Sequence, residues 1–325
     1  MAEPLRWGIL GTGRITTRLV GPLTGSPRHG VVAVASRDGD RAAAYAAEHG
    51  LPRSHGSYEA LLADSGIDAI YNALPNHLHV EWTVRALEAG KHVLCEKPLA
   101  LSVEDVDRVS AASEATGRVA AEAFMYLHHP QTKRALDQID QGRIGEIQLI
   151  RGAFSFVLTH PGDPRLEPSM GGGSVWDVGG YPISLANRIA GDRPAEVAAT
   201  TRIGPSGVDL RASALLRYES GVVAQIFSSF ETPHREWVEV VGTEATLILE
   251  PAFVPHLPGV DTTIRIRSEG DVVESITIPL ADPYLAEANN LADVIAGAAE
   301  PELPLAETRR NVATILDVYA AASRR

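Results

Sequence analysis

A short apolar run, Leu5–Leu10, passes directly into Gly11-Thr12-Gly13 and then into a stretch with helical spacing, Ile15–Leu23. This junction constrains the fold more tightly than anything else in the chain. Gly11 permits a tight strand-to-helix turn, and Gly13 leaves room for main-chain N–H groups at the helix N-terminus to approach a pyrophosphate. Thr16 stands where a third glycine or alanine is usual. The rhythm then repeats: Val31–Ala35, Ala69–Leu74, His92–Cys95 and a weaker Val119–Ala123 read as strands. Arg41–His49, Val80–Ala89 and Val103–Ala115 read as helices between them. Ser57 and Ser102 mark helix starts, the latter with Asp105 three residues on as a weak capping box. Continuous apolar strands alternating with helices imply a parallel sheet covered on both faces. Residues 1–122 are therefore expected to form a doubly wound, Rossmann-type dinucleotide-binding domain of the α/β class.

Beyond residue 123 the pattern changes. A helix over Gln131–Gln141 leads to Gly145, and strand-like segments follow from Glu146–Phe156 to Val272–Ile278, several alternating as in RIR and SITI. Two helical stretches, Tyr284–Ala298 and Glu307–Ala322, close the chain. Residues 123–325 read as an α+β domain with a large, mainly antiparallel open sheet, for substrate binding and oligomerisation.

The length of 325 residues suits two domains at about 150 residues each. Lys plus Arg number 29 against 41 Asp plus Glu, a net charge of −12 with no basic block, which argues against nucleic-acid binding. One cysteine excludes a disulfide framework and a Cys-based zinc site. No apolar run approaches the ~20 residues that span a bilayer, and MAEPLRWGIL lacks a signal-peptide layout. A cytoplasmic protein with no membrane partner is expected.

The second strand ends at Ser36, followed by Arg37, with Arg41 one turn into the next helix. Serine removes the charge that would repel a 2′-phosphate, and arginine supplies a planar cation for it, so NADP is the expected cofactor. Asp38 keeps NAD as the alternative, since an acid there accepts from a ribose 2′-hydroxyl if the loop is shifted. The third strand ends Leu74-Pro75-Asn76-His77-Leu78-His79, a turn expected beside the cofactor. Thr12, Arg14, Ile15, Leu74 and His79 join the cofactor-lining set. His77 and His79 lack the further ligands a metal needs, and no metal is expected. The fourth strand runs into Cys95-Glu96-Lys97-Pro98. Lys97 points toward the cofactor crevice or pairs with Glu96 at the surface, and Cys95 reads as a small buried hydrophobe. In the second domain Asp177 and Tyr181 are four apart and share a helix face after Gly171-Gly172-Gly173. Hydride transfer at a carbinol needs a group for the hydroxyl proton. A tyrosine near a Lys ammonium suits that role, although Tyr181 by itself reads first as a packed core tyrosine. Trp176 either walls a sugar ring or packs, and Arg165 either bonds a sugar hydroxyl or phosphate or is a solvated loop charge.

Together the segments GILGTGRI, VASRD, ALPNHLH, CEKP, AEAFMYLHHPQ, GEI, GGGSVWDVGGYP and VVGTEATL resemble the glucose–fructose oxidoreductase / inositol dehydrogenase (Gfo/Idh/MocA) family across essentially the whole chain. The branch resembled contains NADP-dependent D-xylose and dihydrodiol dehydrogenases and keto-sugar reductases. The resemblance implies Lys97 and Tyr181 as the catalytic pair, Glu96 and Pro98 near the nicotinamide, and Asp177 beside substrate hydroxyls. It also implies homodimers, or tetramers, formed through the open face of the second sheet. Leu127 departs from a position that is often basic in the family, as Thr16 departs from the glycine pattern. The expected activity is NADP-dependent oxidation of a sugar-like alcohol, first a pyranose at C1. Reduction of a keto-sugar, nucleotide-linked or free, is the alternative within enzymes, and a non-catalytic dinucleotide-sensing module is the alternative outside them.

Overall fold

A computed structural model describes residues 3–160, 162–255 and 259–324, which fall into two compact units. The first is built on β1 (Leu5–Leu10), β2 (His29–Ala35), β3 (Arg53–His55), β4 (Ala69–Asn72), β5 (His92–Glu96) and β6 (Ala120–Ala123). These strands form one parallel sheet in the order β3-β2-β1-β4-β5-β6. Helices α1 (Thr16–Thr24), α2 (Gly39–His49), α3 (Tyr58–Leu62), α4 (His79–Glu88) and α5 (Val103–Thr116) supply the connections. The order reverses beside β1, so the strand ends of β1, β2 and β4 open onto the switch point where such sheets bind ligands. Trp7, Ile9 and Leu10 of β1 are fully buried, each contributing about 1.5–3 kcal/mol of apolar burial. Ser57 and Ser102 cap α3 and α5 by accepting from Ala60 N and Asp105 N. β3 has no counterpart in the sequence reading, because its polar RSH carries none of the apolar signal that marks the other strands.

The second unit holds an eight-stranded sheet of β7 (Ile147–Ser155), β8 (Glu196–Ile203), β9 (Asp209–Arg217), β10 (Val223–Ser229), β11 (Arg235–Gly242), β12 (Thr246–Leu249), β13 (Thr262–Ser268) and β14 (Asp271–Ile278). Its order is β14-β13-β12-β11-β7-β10-β9-β8, antiparallel except between β7 and β10. Helix α6 (Pro130–Asp140) precedes the sheet, and α7 (Gly180–Ala190) packs on β7 and β10. Close approach of α7 depends on Gly152, where a Cβ would lie 2.8 Å from Pro182 Cβ.

The expectation of an uninterrupted second domain from 123 to 325 is corrected at one segment. Asp282–Thr308, which includes α8 (Pro283–Ile295), belongs to the first unit. Tyr284, Ala288 and Leu291 are buried, and α8 packs against α1. Trp7 Nε1 donates to His29 Nδ1 at 3.2 Å, and His29 Nε2 meets Asn289 Oδ1 at 3.0 Å. Arg28 pairs with Asp293. The periodic signal of α8 could not reveal which sheet it covers. From Arg309 onward α9 (Leu305–Ala322) belongs to the second unit. Among the described residues no helix is long and apolar enough to cross a membrane.

A Gly152→Ala substitution should overpack the contact between β7 and α7 and cost about 1–3 kcal/mol. Thermal melting should show a midpoint several degrees lower; an unchanged midpoint would mean α7 moves away from the sheet freely.

Candidate active site

Gly11 has φ of 95° and donates its N–H to Ala35 O at 3.0 Å. A Cβ there would lie 3.2 Å from Ala73 O and 3.3 Å from Leu74 Cδ2, so both conformation and space demand glycine. At Gly13 a Cβ would meet nothing of the chain within 4 Å, which leaves the approach to the α1 N-terminus clear. That terminus carries no side-chain cap and no acid in its first turn. The N–H groups of Thr16, Thr17 and Arg18 bond back to Gly13 O, Arg14 O and Ile15 O, so it is the preceding glycine loop and the positive dipole end that suit a pyrophosphate, and these residues fit a bound dinucleotide. Thr16 turns its departure from the glycine pattern into a contact. Fully buried, its hydroxyl lies 2.6 Å from Gly13 O and 2.7 Å from the Tyr45 hydroxyl, tying the loop to α2.

At the β2 tip Ser36 is buried, and its Oγ accepts from Asp38 N at 3.2 Å. Asp38 caps α2, accepting from Arg41 N at 3.1 Å. Its carboxylate is thereby engaged with the helix end. Arg37 and Arg41 are exposed, and among the described residues neither side chain makes an ion pair. A cation pair without an acid partner beside an uncharged strand tip favours a phosphate-bearing ribose.

Beyond β4, Asn72 Nδ2 bonds His79 O at 3.0 Å and Thr83 Oγ1 at 3.1 Å, fixing the turn over α4. Leu74, Pro75 and Asn76 form that turn. His79, expected to line the cofactor, supports the turn from beneath. It is 1% exposed, with Nδ1 2.7 Å from Pro98 O and Nε2 2.6 Å from Leu74 O. Burial pushes its pKa down, against the two carbonyl contacts, which favour protonation. The Glu96–Leu99 turn is held at each residue. Tyr71 OH donates to Glu96 Oε1, Lys97 N donates to Glu96 Oε2 at 3.3 Å, and Leu99 N donates to Glu122 Oε1 at 2.9 Å. Glu122 Oε2 also accepts from the Thr308 hydroxyl at 2.8 Å. Burial pushes the Glu122 carboxyl up to about 6 and the Tyr71 phenol well above its usual range. Cys95 is buried, and burial drives its thiol pKa up, leaving no reactive thiolate. The Lys97–Pro98 peptide is cis.

In the second unit a π-helical turn, Val175–Gly179, leads into α7. Gly180 N–H reaches back five residues to Val175 O, the bond that makes the turn π-helical, and Pro182 just beyond has no N–H to donate. This turn is the detail that an i, i+4 reading of Asp177 and Tyr181 misses. Tyr181 is 6% exposed, with ring centroids 5.3 Å from Phe154, 5.6 Å from Tyr126 and 5.6 Å from Phe253. Glu236 accepts from Phe253 N and from Val254 N at 2.8 Å, and burial raises its carboxyl to about 7. Asp177 is half-buried, with Oδ2 3.5 Å from Arg165 Nη1. The Arg165 guanidinium is otherwise claimed by Asp163, at 2.9 Å through Nε and 2.8 Å through Nη2, and lies over the Phe156 ring. The bond to Asp163 first, then the charge of Asp177, holds its pKa above the usual arginine range. Arg165 thus ties Asp163 to Asp177. Trp176 is 8% exposed and tilts against Tyr319, with ring centroids 6.0 Å apart. Leu127 is fully buried and packs as an apolar side chain. Among the described residues no cluster of three or more His, Cys, Asp or Glu has the geometry to hold a metal.

Tyr71, Glu122, Glu236 and Phe253 escaped the sequence reading. A signal existed for Glu122, an acid inside AAEAF, because a polar residue in a buried strand requires a partner.

Comparison with known proteins agrees with this layout. Residues 5–124 match the GFO/IDH/MocA description "Oxidoreductase family, NAD-binding Rossmann fold", and residues 132–248 match "GFO/IDH/MocA C-terminal domain". The chain is 38% identical over 319 residues to a D-xylose 1-dehydrogenase (NADP(+)) of Haloferax volcanii, covering 98% of this chain and 97% of that one. It is 34% identical to a dTDP-3,4-didehydro-2,6-dideoxy-alpha-D-glucose 3-reductase of Actinomadura kijaniata, covering 92% and 90%. A solved 3-ketoreductase from Actinomadura kijaniata, in complex with NADP and TDP-benzene, superposes with a TM-score of 0.92 at 31% identity over 98% of both chains. On fold, sequence and family match alike, this chain is a member of the GFO/IDH/MocA oxidoreductase family.

Proposed function

We propose that the protein is an NADP-dependent oxidoreductase acting at C1 of a free pyranose. The observation that carries this reading is Lys97 on a turn fixed by buried side chains at the carboxyl edge of the parallel sheet. Gly11, Thr12, Gly13, Arg14 and Ile15 would hold the pyrophosphate, and Ser36, Arg37 and Arg41 the 2′-phosphate. Leu74, Pro75, Asn76, Glu96, Lys97 and Pro98 would line the nicotinamide end. When bound, the cofactor accepts or supplies the hydride. Tyr181 takes the hydroxyl proton in oxidation and returns it in reduction. Lys97 is the residue proposed to hold the substrate oxygen. Asp177, held by Arg165, accepts from substrate hydroxyls, and Trp176 forms part of the wall.

The named relatives also support a second reading, NADPH-dependent reduction of a keto-sugar, free or nucleotide-linked. A non-catalytic sensor would have no need of both Lys97 and Tyr181. The outer face of the second sheet, with a hollow of about 500 Å³ lined by Arg151, Leu215, Phe227 and Trp237 among others, supports a homodimer formed there. Cytoplasm is the compartment this reading carries, because NADP(H) is an intracellular cofactor. Purified protein assayed with NADP⁺ and NAD⁺ on D-xylose, D-glucose, inositols and dihydrodiols should reduce NADP⁺ fastest with an aldose. Turnover confined to a keto-sugar with NADPH would favour the second reading, and cofactor binding without turnover the sensor.

An Arg–phosphate contact is worth on the order of 1.5–3 kcal/mol, roughly ten- to a hundredfold in affinity. Arg37→Ala should therefore weaken NADP⁺ by about that factor and NAD⁺ far less in equilibrium titrations. Equal losses would remove Arg37 from cofactor selection.

Tyr181→Phe removes one oxygen and almost no volume, and turnover should fall about 10²–10⁴-fold. The measurement is turnover of both proteins at saturating NADP⁺. A Phe variant within a few-fold of the unaltered protein would mean another group moves the proton.

A further inference from the structure

Beneath the segment that carries Trp176, Asp177 and Tyr181 lies a buried carboxylate, Asp209, the first residue of β9 and 2% exposed. Its Oδ2 accepts from Ser174 Oγ at 2.7 Å and from Val175 N at 3.0 Å, and its Oδ1 accepts from Tyr319 OH at 2.6 Å. Ser174 Oγ also lies 2.9 Å from Ser228 Oγ on β10. The backbone passes so close that a Cβ on Gly173, whose φ is 128°, would stand 2.2 Å from Asp209 Oδ1 and 2.8 Å from Tyr319 OH. All three donors point at one carboxylate, and two of them, Ser174 and Val175, belong to the entrance of the π-helical turn. An ionised acid there also complements the positive end of the helix that follows.

We propose that Asp209, backed by Tyr319, is the positioning residue of the substrate half of the site. It fixes where the π-helical turn begins, and hence where Asp177 and Tyr181 stand three and seven residues after Ser174. Tyr319 links this anchor to α9 and at the same time supports the Trp176 ring. Burial raises the Asp209 pKa, while the bonds from Tyr319, Ser174 and Val175 oppose the rise. Neither Asp209 nor Tyr319 is assigned contact with substrate. Their effect is exerted through the 173–181 backbone, and this inference rests on the assignment of Asp177 and Tyr181 above.

Asp209→Asn keeps the shape but turns an amide N–H₂ toward groups that are themselves donors. Tyr319→Phe, a milder change, leaves Asp209 in place and removes one bond. Hydrogen exchange by mass spectrometry should show faster exchange in the 173–181 peptide of both variants, with the α6 peptide unchanged. With NADP⁺ and D-xylose the Asn variant should lose about ten- to a hundredfold in kcat/KM, through a raised KM as well as a lower kcat, and Tyr319→Phe less. NADP⁺ affinity should stay within about twofold, because its proposed ligands lie in the first unit. Unchanged exchange at 173–181 would overturn the anchor. A lower kcat with KM unchanged would reduce Asp209 to a structural role and overturn the positioning claim. Failure of the underlying reading shows separately, as unaltered protein without turnover on any sugar, while the exchange result still decides whether Asp209 holds the segment.

Discussion

Glu96 to Leu99 are held in sequence by hydrogen bonds that involve buried side chains, and the place of Lys97 follows from that constraint. A buried donor or acceptor left without its partner costs about 1–3 kcal/mol, so the turn cannot slide without several such losses at once. The partners come from elements far apart in sequence: Tyr71 on β4, His79 at the start of α4 and Glu122 on β6. Because these elements belong to one parallel sheet and its covering helix, the sheet's register is transmitted to a single lysine. Gly11 extends the same logic to the dinucleotide loop, which approaches the β4 turn as closely as a residue without a side chain allows.

The second unit uses the same device with different residues. Asp209 collects the start of the π-helical turn, Arg165 bridges Asp163 and Asp177, and Glu236 holds the Phe253 backbone whose ring packs on Tyr181. Asp209 and Arg165 are buried or half-buried groups matched by hydrogen bonds, the condition under which such groups are tolerated away from water, whereas Glu236 keeps Oε1 without a partner and burial raises its carboxyl to about 7. The three rings of Tyr126, Phe154 and Phe253 then restrict the side-chain freedom of Tyr181. The proton-carrying role proposed for Tyr181 benefits from such restriction, because the ring's geometry is settled before substrate arrives.

Much of this was legible in the sequence where the signal is local. The glycines of the first turn, the apolar strands and the serine caps each act over a few residues, and their physical requirements leave a mark on neighbouring positions. Ser36 and Arg37 are readable for the same reason. The struts are a different matter. Nothing around Asp209 tells that its partners are Ser174 and Tyr319, and His79 looks like a surface ligand until Leu74 O and Pro98 O are seen on either side of it. The placement of α8 against the first sheet is equally silent, since an amphipathic period states that a face is buried without stating against what. β3 was missed because a three-residue edge strand of polar side chains has no period to detect.

The central claim is that the protein removes hydride from a sugar carbon and passes it to a nicotinamide. The most direct measurement follows the label. D-xylose or D-glucose deuterated at C1 is incubated with the purified protein and NADP⁺, and the reduced cofactor is weighed by mass spectrometry. The account predicts NADPH heavier by one deuterium, with turnover slowed relative to the unlabelled sugar. Unlabelled NADPH, or sugar oxidised with no cofactor reduced, would contradict it.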